Sequence, residues 1–145
     1  MSDAPKHSVS VAGVVVDENE RVLLIQRRDN GRWEAPGGVL ELDETLEDGV
    51  KREILEETGV SVAVERLSGS YKNLSRGIIA LVFRCRPLSG KPRATDESVD
   101  AGWFELSEAL GRMSEVYAVR VSDAFAATPA VRNHDGVTVT QSLPT

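Results

Sequence analysis

Residues 38–60 read GVLELDETLEDGVKREILEETGV, and this stretch carries the strongest structural signal in the chain. Thr45 followed by Asp48 resembles a capping box, so a helix is expected from Thr45 to Thr58. Glu47 and Asp48 suit the positive end of its dipole, and Gly59 suits a left-handed C-cap. On that helix Glu53, Glu56 and Glu57 stand at i, i+3 and i+4 and share an arc of roughly 100°. Carboxylates so spaced repel one another, and a divalent cation reverses the penalty. Ligands made only of oxygen favour a hard ion such as Mg2+, with water completing its shell. Leu46 and Val50 fall in or beside the same sector and Ile54 borders it, so the acidic patch adjoins the buried stripe. The competing account is a wet helix surface whose glutamates are partly balanced by Lys51 and Arg52.

Working outward, Pro36-Gly37-Gly38 and Asp29-Asn30-Gly31 break regular structure ahead of the helix. Val9–Val16 and Val22–Ile25 read as strands, expected to pair as a hairpin across the polar turn Asp17–Glu20. After the helix, Val60–Leu67 alternates as a strand and Ile78–Cys85 is a more apolar, central one. Pro87–Thr95 is a loop, Trp103-Phe104 closes a short strand, Ser107 opens a helical pattern and Tyr117–Ala127 another. The expected organisation is a disordered terminus over 1–8, one domain over 9–127 and a tail over 128–145. That tail is read as mobile or as a short strand at Val137–Thr140. Alternating strands and helices with an antiparallel start argue for an α/β fold, a mixed sheet with helices on both faces.

Composition narrows the partners. The chain has 145 residues, and its formal net charge of −6 disfavours sequence-independent binding of nucleic acid polymers. A small phosphorylated ligand would need metal ions or local basic residues to approach the acidic face. No apolar run is long enough to span a membrane, and the polar start with Pro5 does not read as a signal peptide. The single cysteine, Cys85, lies in an apolar run and reads as a buried thiol, so a reducing, cytoplasmic location is expected.

The stretch from Gly38 through Glu44 to Arg52-Glu53-Ile54-Leu55-Glu56-Glu57-Thr58-Gly59-Val60 resembles the Nudix box of MutT-like hydrolases at every defined position. Trp33-Glu34-Ala35-Pro36-Gly37-Gly38 is similar to the family's usual lead-in, and Glu97–Phe104 fits its downstream segment. The resemblance implies an α/β/α sandwich with a loop–helix–loop motif that holds metal and a diphosphate. It implies Glu53, Glu56 and Glu57 as metal-binding and base-supplying acids and Arg52 as the group orienting them. Glu44 is implied as a supporting outer acid and Gly38 as a point of close backbone approach. Gly59 combines its cap with the family role. Glu97 is a further candidate ligand or base, set against a plain loop acid beside Asp96 and Asp100. Arg27 or Arg28 is a candidate phosphate contact and Tyr71 a candidate base-stacking ring, whereas Phe83 is expected in the core.

The implied reaction is metal-dependent hydrolysis of a nucleoside diphosphate linked to a further group, with Mg2+ as cofactor and Mn2+ as a substitute. The partner is then a small nucleotide or nucleoside diphosphate derivative, and the protein a monomer or homodimer. Residues 71–77 lack the proline that ADP-ribose-type members tend to carry, and Tyr71 is too close to Val60 for the diadenosine-polyphosphate mark. No coenzyme A-type motif is present upstream. Elimination leaves a nucleoside or modified deoxynucleoside triphosphate first and ADP-ribose or a nucleotide sugar second. A nucleotide-binding sensor without turnover is the reading from another class, and the intact motif favours the enzyme.

Overall fold

The computed structural model describes residues 3–140. The strands are β1 (Ser8–Val15), β2 (Val22–Arg27), β3 (Trp33–Glu34), β4 (Gly37–Val39), β5 (Ser61–Asn73), β6 (Ile78–Ser89), β7 (Ser98–Phe104) and β8 (Ala130–His134). The helices are α1 (Leu46–Thr58), α2 (Leu106–Gly111) and α3 (Glu115–Asp123). A five-stranded sheet runs β4-β1-β6-β5-β8, and a three-stranded sheet runs β3-β2-β7. In the larger sheet β1/β6 and β5/β8 are parallel while β1/β4 and β5/β6 are antiparallel, so it is mixed as expected.

The alternation of β1 assigns its two faces. Val11 and Val15 point to a cluster with Val50 and Ile54 of α1, joined by Leu23, Phe83 and Cys85. Ala12 and Val14 point to the opposite cluster with Tyr71, Val82, Ala109, Val121 and Ala124, which is the side of α2 and α3. Helices therefore cover both faces. At Gly13 a Cβ would lie 2.5 Å from Ile54 Cδ1 and 3.2 Å from Val50 Cγ1, so glycine lets α1 settle directly on the sheet. Cys85 is fully buried, and burial pushes its thiol pKa up to about 12, as an inert packing thiol requires.

Two expectations need correction. β1 and β2 do not form a hairpin ladder; they share one bridge, Val16↔Val22, and then enter different sheets. Both strands are buried without a break over Val11–Val16 and Val22–Ile25, so neither offers the wet face of a simple hairpin. The segment expected as a tail from 128 onward carries a strand, at Ala130–His134 and not at Val137–Thr140. It covers the edge of β5 in register from Gly69↔Ala130 to Asn73↔His134, while Val139 makes a single bridge back to His134. Its sequence has little apolar alternation because side-chain bonds hold it: Arg132 donates Nε and Nη2 to the two Asp123 oxygens at 2.7 and 2.8 Å. Asp3–His7 carry no regular structure and Ser8 already pairs in β1; residues 1–2 and 141–145 lie outside the described range. Among the described residues no helix is long and apolar enough to cross a membrane.

Candidate active site

Helix α1 is fixed at both ends and along one side. Thr45 Oγ1 accepts the Asp48 N–H at 3.1 Å, and Gly59, at φ 79°, donates its N–H to Leu55 O at 2.9 Å. A Cβ at Gly59 would also meet the Arg93 side chain at 2.8 Å. Val50, Ile54 and Val60 are fully buried, so the helix cannot rotate without opening the core. This anchoring sets Glu53 and Glu57, one turn apart, into the crevice beside β4, where both are buried.

Glu97 arrives from the loop between β6 and β7. Glu53, Glu57 and Glu97 each offer a carboxylate oxygen, and these oxygens lie within 4.8 Å of one another. Glu56 is outside this cluster; its side chain is half exposed and accepts from Arg52 Nη1 at 3.3 Å. Arg52 is the hub of the acidic helix. It donates Nε and Nη2 to Glu44 at 3.0 and 2.7 Å and Nη1 to Glu53 at 2.9 Å. Glu44 also accepts the Glu41 N–H, and the Arg52 guanidinium with this bond holds its carboxyl down at about 2.

The glycines before the helix are required by contact. Gly37 donates its N–H to Glu57 Oε1 at 2.7 Å. A Cβ on Gly38 would stand 2.6 Å from the Glu53 carboxylate. Sequence reasoning passed over Gly49, a glycine inside a helix at a cost of about 1 kcal/mol relative to alanine. There a Cβ would meet Leu40 at 2.7 Å and Glu44 Oε1 at 3.0 Å, so the helix gives up propensity to admit the supporting acid.

Electrostatics separate Glu53 and Glu57 from ordinary surface glutamates. Burial pushes the Glu57 carboxyl up to about 8; the Gly37 N–H opposes the shift, and Glu53 and Glu97 add to it. Burial also raises Glu53, against the pull of Arg52. Among the described residues no ion pair reaches Glu57 or Glu97. An oxygen-only cluster with two buried members, in which only Glu53 meets a protein cation, fits a hard divalent cation.

The cluster opens on a cleft of about 530 Å³ bounded by Ser10, Gly38, Val39, Arg27 and Arg28. Arg27 is engaged by acids, Asp29 at 2.6 Å and Glu34 at 3.0 Å. Arg28 donates to the backbone carbonyls of Thr95, Asp96 and Ser98. Tyr71 is not at the cleft. Its ring is 1 % exposed and its hydroxyl donates to Asp123 at 2.8 Å, so the stacking expectation is overturned by burial. Phe83 is in the core as expected, and Trp33 packs edge-on against Phe104 with 5.1 Å between centroids.

The cleft continues into a slot of about 120 Å³ that shares Arg27, Gly37 and Gly38 with it and adds Glu34, Ala80, Tyr117 and Arg120. Burial raises the Glu34 carboxyl, against the Arg27 hydrogen bond. Arg120 lies 4.9 Å from the Tyr117 ring centroid, and its Nε is buried with no hydrogen-bond partner among the described residues. Glu34 and Arg120 lie 86 positions apart, so no local pattern paired them.

Comparison with known proteins identifies the family. A family model described as the NUDIX domain matches residues 6–124. A MutT-like protein of Streptomyces ambofaciens is 59% identical over 133 residues, spanning 91% of this chain and 86% of its own length. An ADP-ribose pyrophosphatase of Methanocaldococcus jannaschii is 36% identical over 107 residues, covering 69% of this chain and 63% of the relative. The crystal structure of a NUDIX hydrolase from Nitrosomonas europaea superposes with a TM-score of 0.78 at 24% identity, covering 90% of this chain and 81% of that one, which shows the fold. With a complete box folded around a metal-compatible acid cluster, this chain belongs to the Nudix hydrolases, enzymes that use divalent metal to cleave phosphoric anhydride bonds in nucleoside diphosphate-linked substrates.

Proposed function

We propose that the protein is a Mg2+-dependent pyrophosphohydrolase of a nucleoside triphosphate or a modified deoxynucleoside triphosphate. The observation that carries the reading is the convergence of Glu53, Glu57 and Glu97 at the mouth of one cleft. When bound, Mg2+ supplies charge neutralisation for the phosphates and lowers the pKa of the attacking water. Glu53, Glu57 and Glu97 would hold it. Arg52 keeps Glu53 and Glu44 aimed through its fork, and the bare backbone of Gly38 lets the diphosphate approach Glu53. The proton of the water passes to a glutamate, with Glu56, Glu57 and Glu97 as the candidates. The slot beyond suits a base: Glu34 can accept from ring N–H or amino groups, Arg120 has a donor to spare, and Tyr117 offers a face.

The test is product analysis on nucleoside triphosphates, oxidised deoxynucleotides, ADP-ribose and nucleotide sugars, with Glu53→Gln as control. Pyrophosphate release that requires Mg2+ and Glu53 supports the proposal. Preferential release of two monophosphates from ADP-ribose would replace it with the second reading, which the M. jannaschii relative favours. Tight nucleotide binding without turnover would mark a sensor.

A further inference from the structure

We propose that Arg28 is a positioning residue that clamps the loop delivering Glu97 to the acid cluster, and that it is not a phosphate ligand. This rests on the reading that Glu53, Glu57 and Glu97 hold a divalent cation.

Glu53 and Glu57 are spaced by one helical turn and held by Arg52 and the Gly37 N–H. Glu97 is different: it sits on an exposed loop whose internal bonds, Thr95 N–H to Ser98 O and Glu97 N–H to Thr95 Oγ1, both 3.1 Å, shape a turn without aiming it. Two side chains tie that turn to the rest of the molecule. The buried Ser98 hydroxyl donates to Glu57 O at 2.7 Å, coupling the loop to α1. Arg28 donates Nη2 to Thr95 O at 2.8 Å and to Ser98 O at 3.2 Å, and Nε to Asp96 O at 3.2 Å. The three carbonyls bracket Glu97 on both sides. Loop carbonyls without ladder partners need donors, and a planar guanidinium presents several in a fixed fork.

The strand pairing creates the opportunity. β2 and β7 pair Gln26↔Asp100 and then Arg27↔Ser98, which leaves Val99 as the extra residue of a bulge. A bulge bends the strand and ends regular pairing, so the carbonyls before it turn toward Arg28. The adjacent arginine shows the contrast, since Arg27 is held by the carboxylates of Asp29 and Glu34. An Arg28 that turned to bind phosphate would release the loop carrying the third carboxylate.

Loss of Arg28 should therefore reproduce loss of Glu97. The experiment titrates Mn2+ directly by electron paramagnetic resonance into the wild type, Arg28→Ala, Arg28→Lys, Glu97→Gln and the Arg28→Ala/Glu97→Gln double variant, with Glu53→Gln as reference and thermal melts to confirm folding. Arg28→Ala is expected to weaken Mn2+ binding about 10-fold. Arg28→Lys should fall nearly as far, because an ammonium cannot hold the fork. The double variant should be no weaker than Glu97→Gln, as expected of residues acting through one contact. Amide exchange over 93–98 should accelerate in Arg28→Ala while α1 is unchanged, and KM for nucleotide at saturating Mg2+ should stay within about twofold. Intact Mn2+ affinity with a raised KM would make Arg28 a phosphate ligand and overturn the clamp, as would additive losses or a wild-type-like Arg28→Lys. If Glu53→Gln also leaves Mn2+ binding intact, the metal reading itself fails and the clamp falls with it; loss in Glu53→Gln alone removes only the clamp.

Discussion

Asp123 and Glu57 are equally hidden, 6 % and 7 % exposed, yet they sit in opposite chemical circumstances. Asp123 receives the fork of Arg132 and the hydroxyl of Tyr71, so its charge is met by a cation and three hydrogen bonds. It ties α3 to β5 and β8. Glu57 receives a single backbone N–H from Gly37 and faces two other carboxylates. A buried carboxylate that its own protein satisfies is a structural joint. One left unsatisfied beside others, at the mouth of a cleft, is a site that something else must complete.

The largest effect that would sharpen this contrast is on turnover. Glu53→Gln should lower kcat on the order of 100- to 1000-fold. Its melting temperature without metal should change little, because one repelling charge is lost together with the Arg52 ion pair; near-normal turnover would remove Glu53 from the site. Asp123→Ala should show the reverse, a loss of about 1–3 kcal/mol in urea unfolding, because the buried Tyr71 hydroxyl is left without its acceptor while the part-exposed Arg132 stays hydrated. Wherever that variant remains folded, its Mn2+ affinity should match the wild type. Gly38→Ala tests the close approach on the other side of Glu53. Pushing that carboxylate aside should weaken activity on the order of 10-fold with little change in stability, read from kcat/KM and a melt.

The smallest effect is a pH dependence. The Glu57 pKa is raised to about 8 in the fold, above its unfolded value, so between those values the folded state binds more protons than the unfolded one. Without metal, stability should therefore fall as pH rises from 5 toward 8, with a melting-temperature loss on the order of 5 °C. Glu57→Gln should flatten that slope, and Mn2+ should reverse it, since the cation binds the ionised form. A wild-type slope that persists in Glu57→Gln would assign the titration elsewhere.

Legibility followed the range of the interactions. The helix from Leu46 to Thr58, its Thr45 and Gly59 caps, the buried side bearing Val50 and Ile54, and the placement of Glu53 and Glu57 beside that side were all readable, because each depends on neighbours within one or two turns. Tyr71 was misread because an aromatic ring with a hydroxyl looks the same whether it meets a nucleobase or Asp123, 52 positions away. β8 was misplaced because the bonds that hold it come from β5 and α3, and its own residues barely alternate.

By itself the sequence determined the chemistry available: an acidic helix, capped and anchored, preceded by glycines and bearing the pattern of the Nudix hydrolases. Only the tertiary structure decided which acids meet. It brought Glu97 across from the β6–β7 loop, turned Glu56 outward onto Arg52, committed Arg28 to three loop carbonyls and set Glu34 and Arg120 in the lining of one slot. Helical spacing is set by backbone hydrogen bonds four residues apart, so it can be read along the chain. Contacts between distant segments depend on strand order, on a bulge at Val99 and on packing over the whole sheet, and no local pattern encodes them.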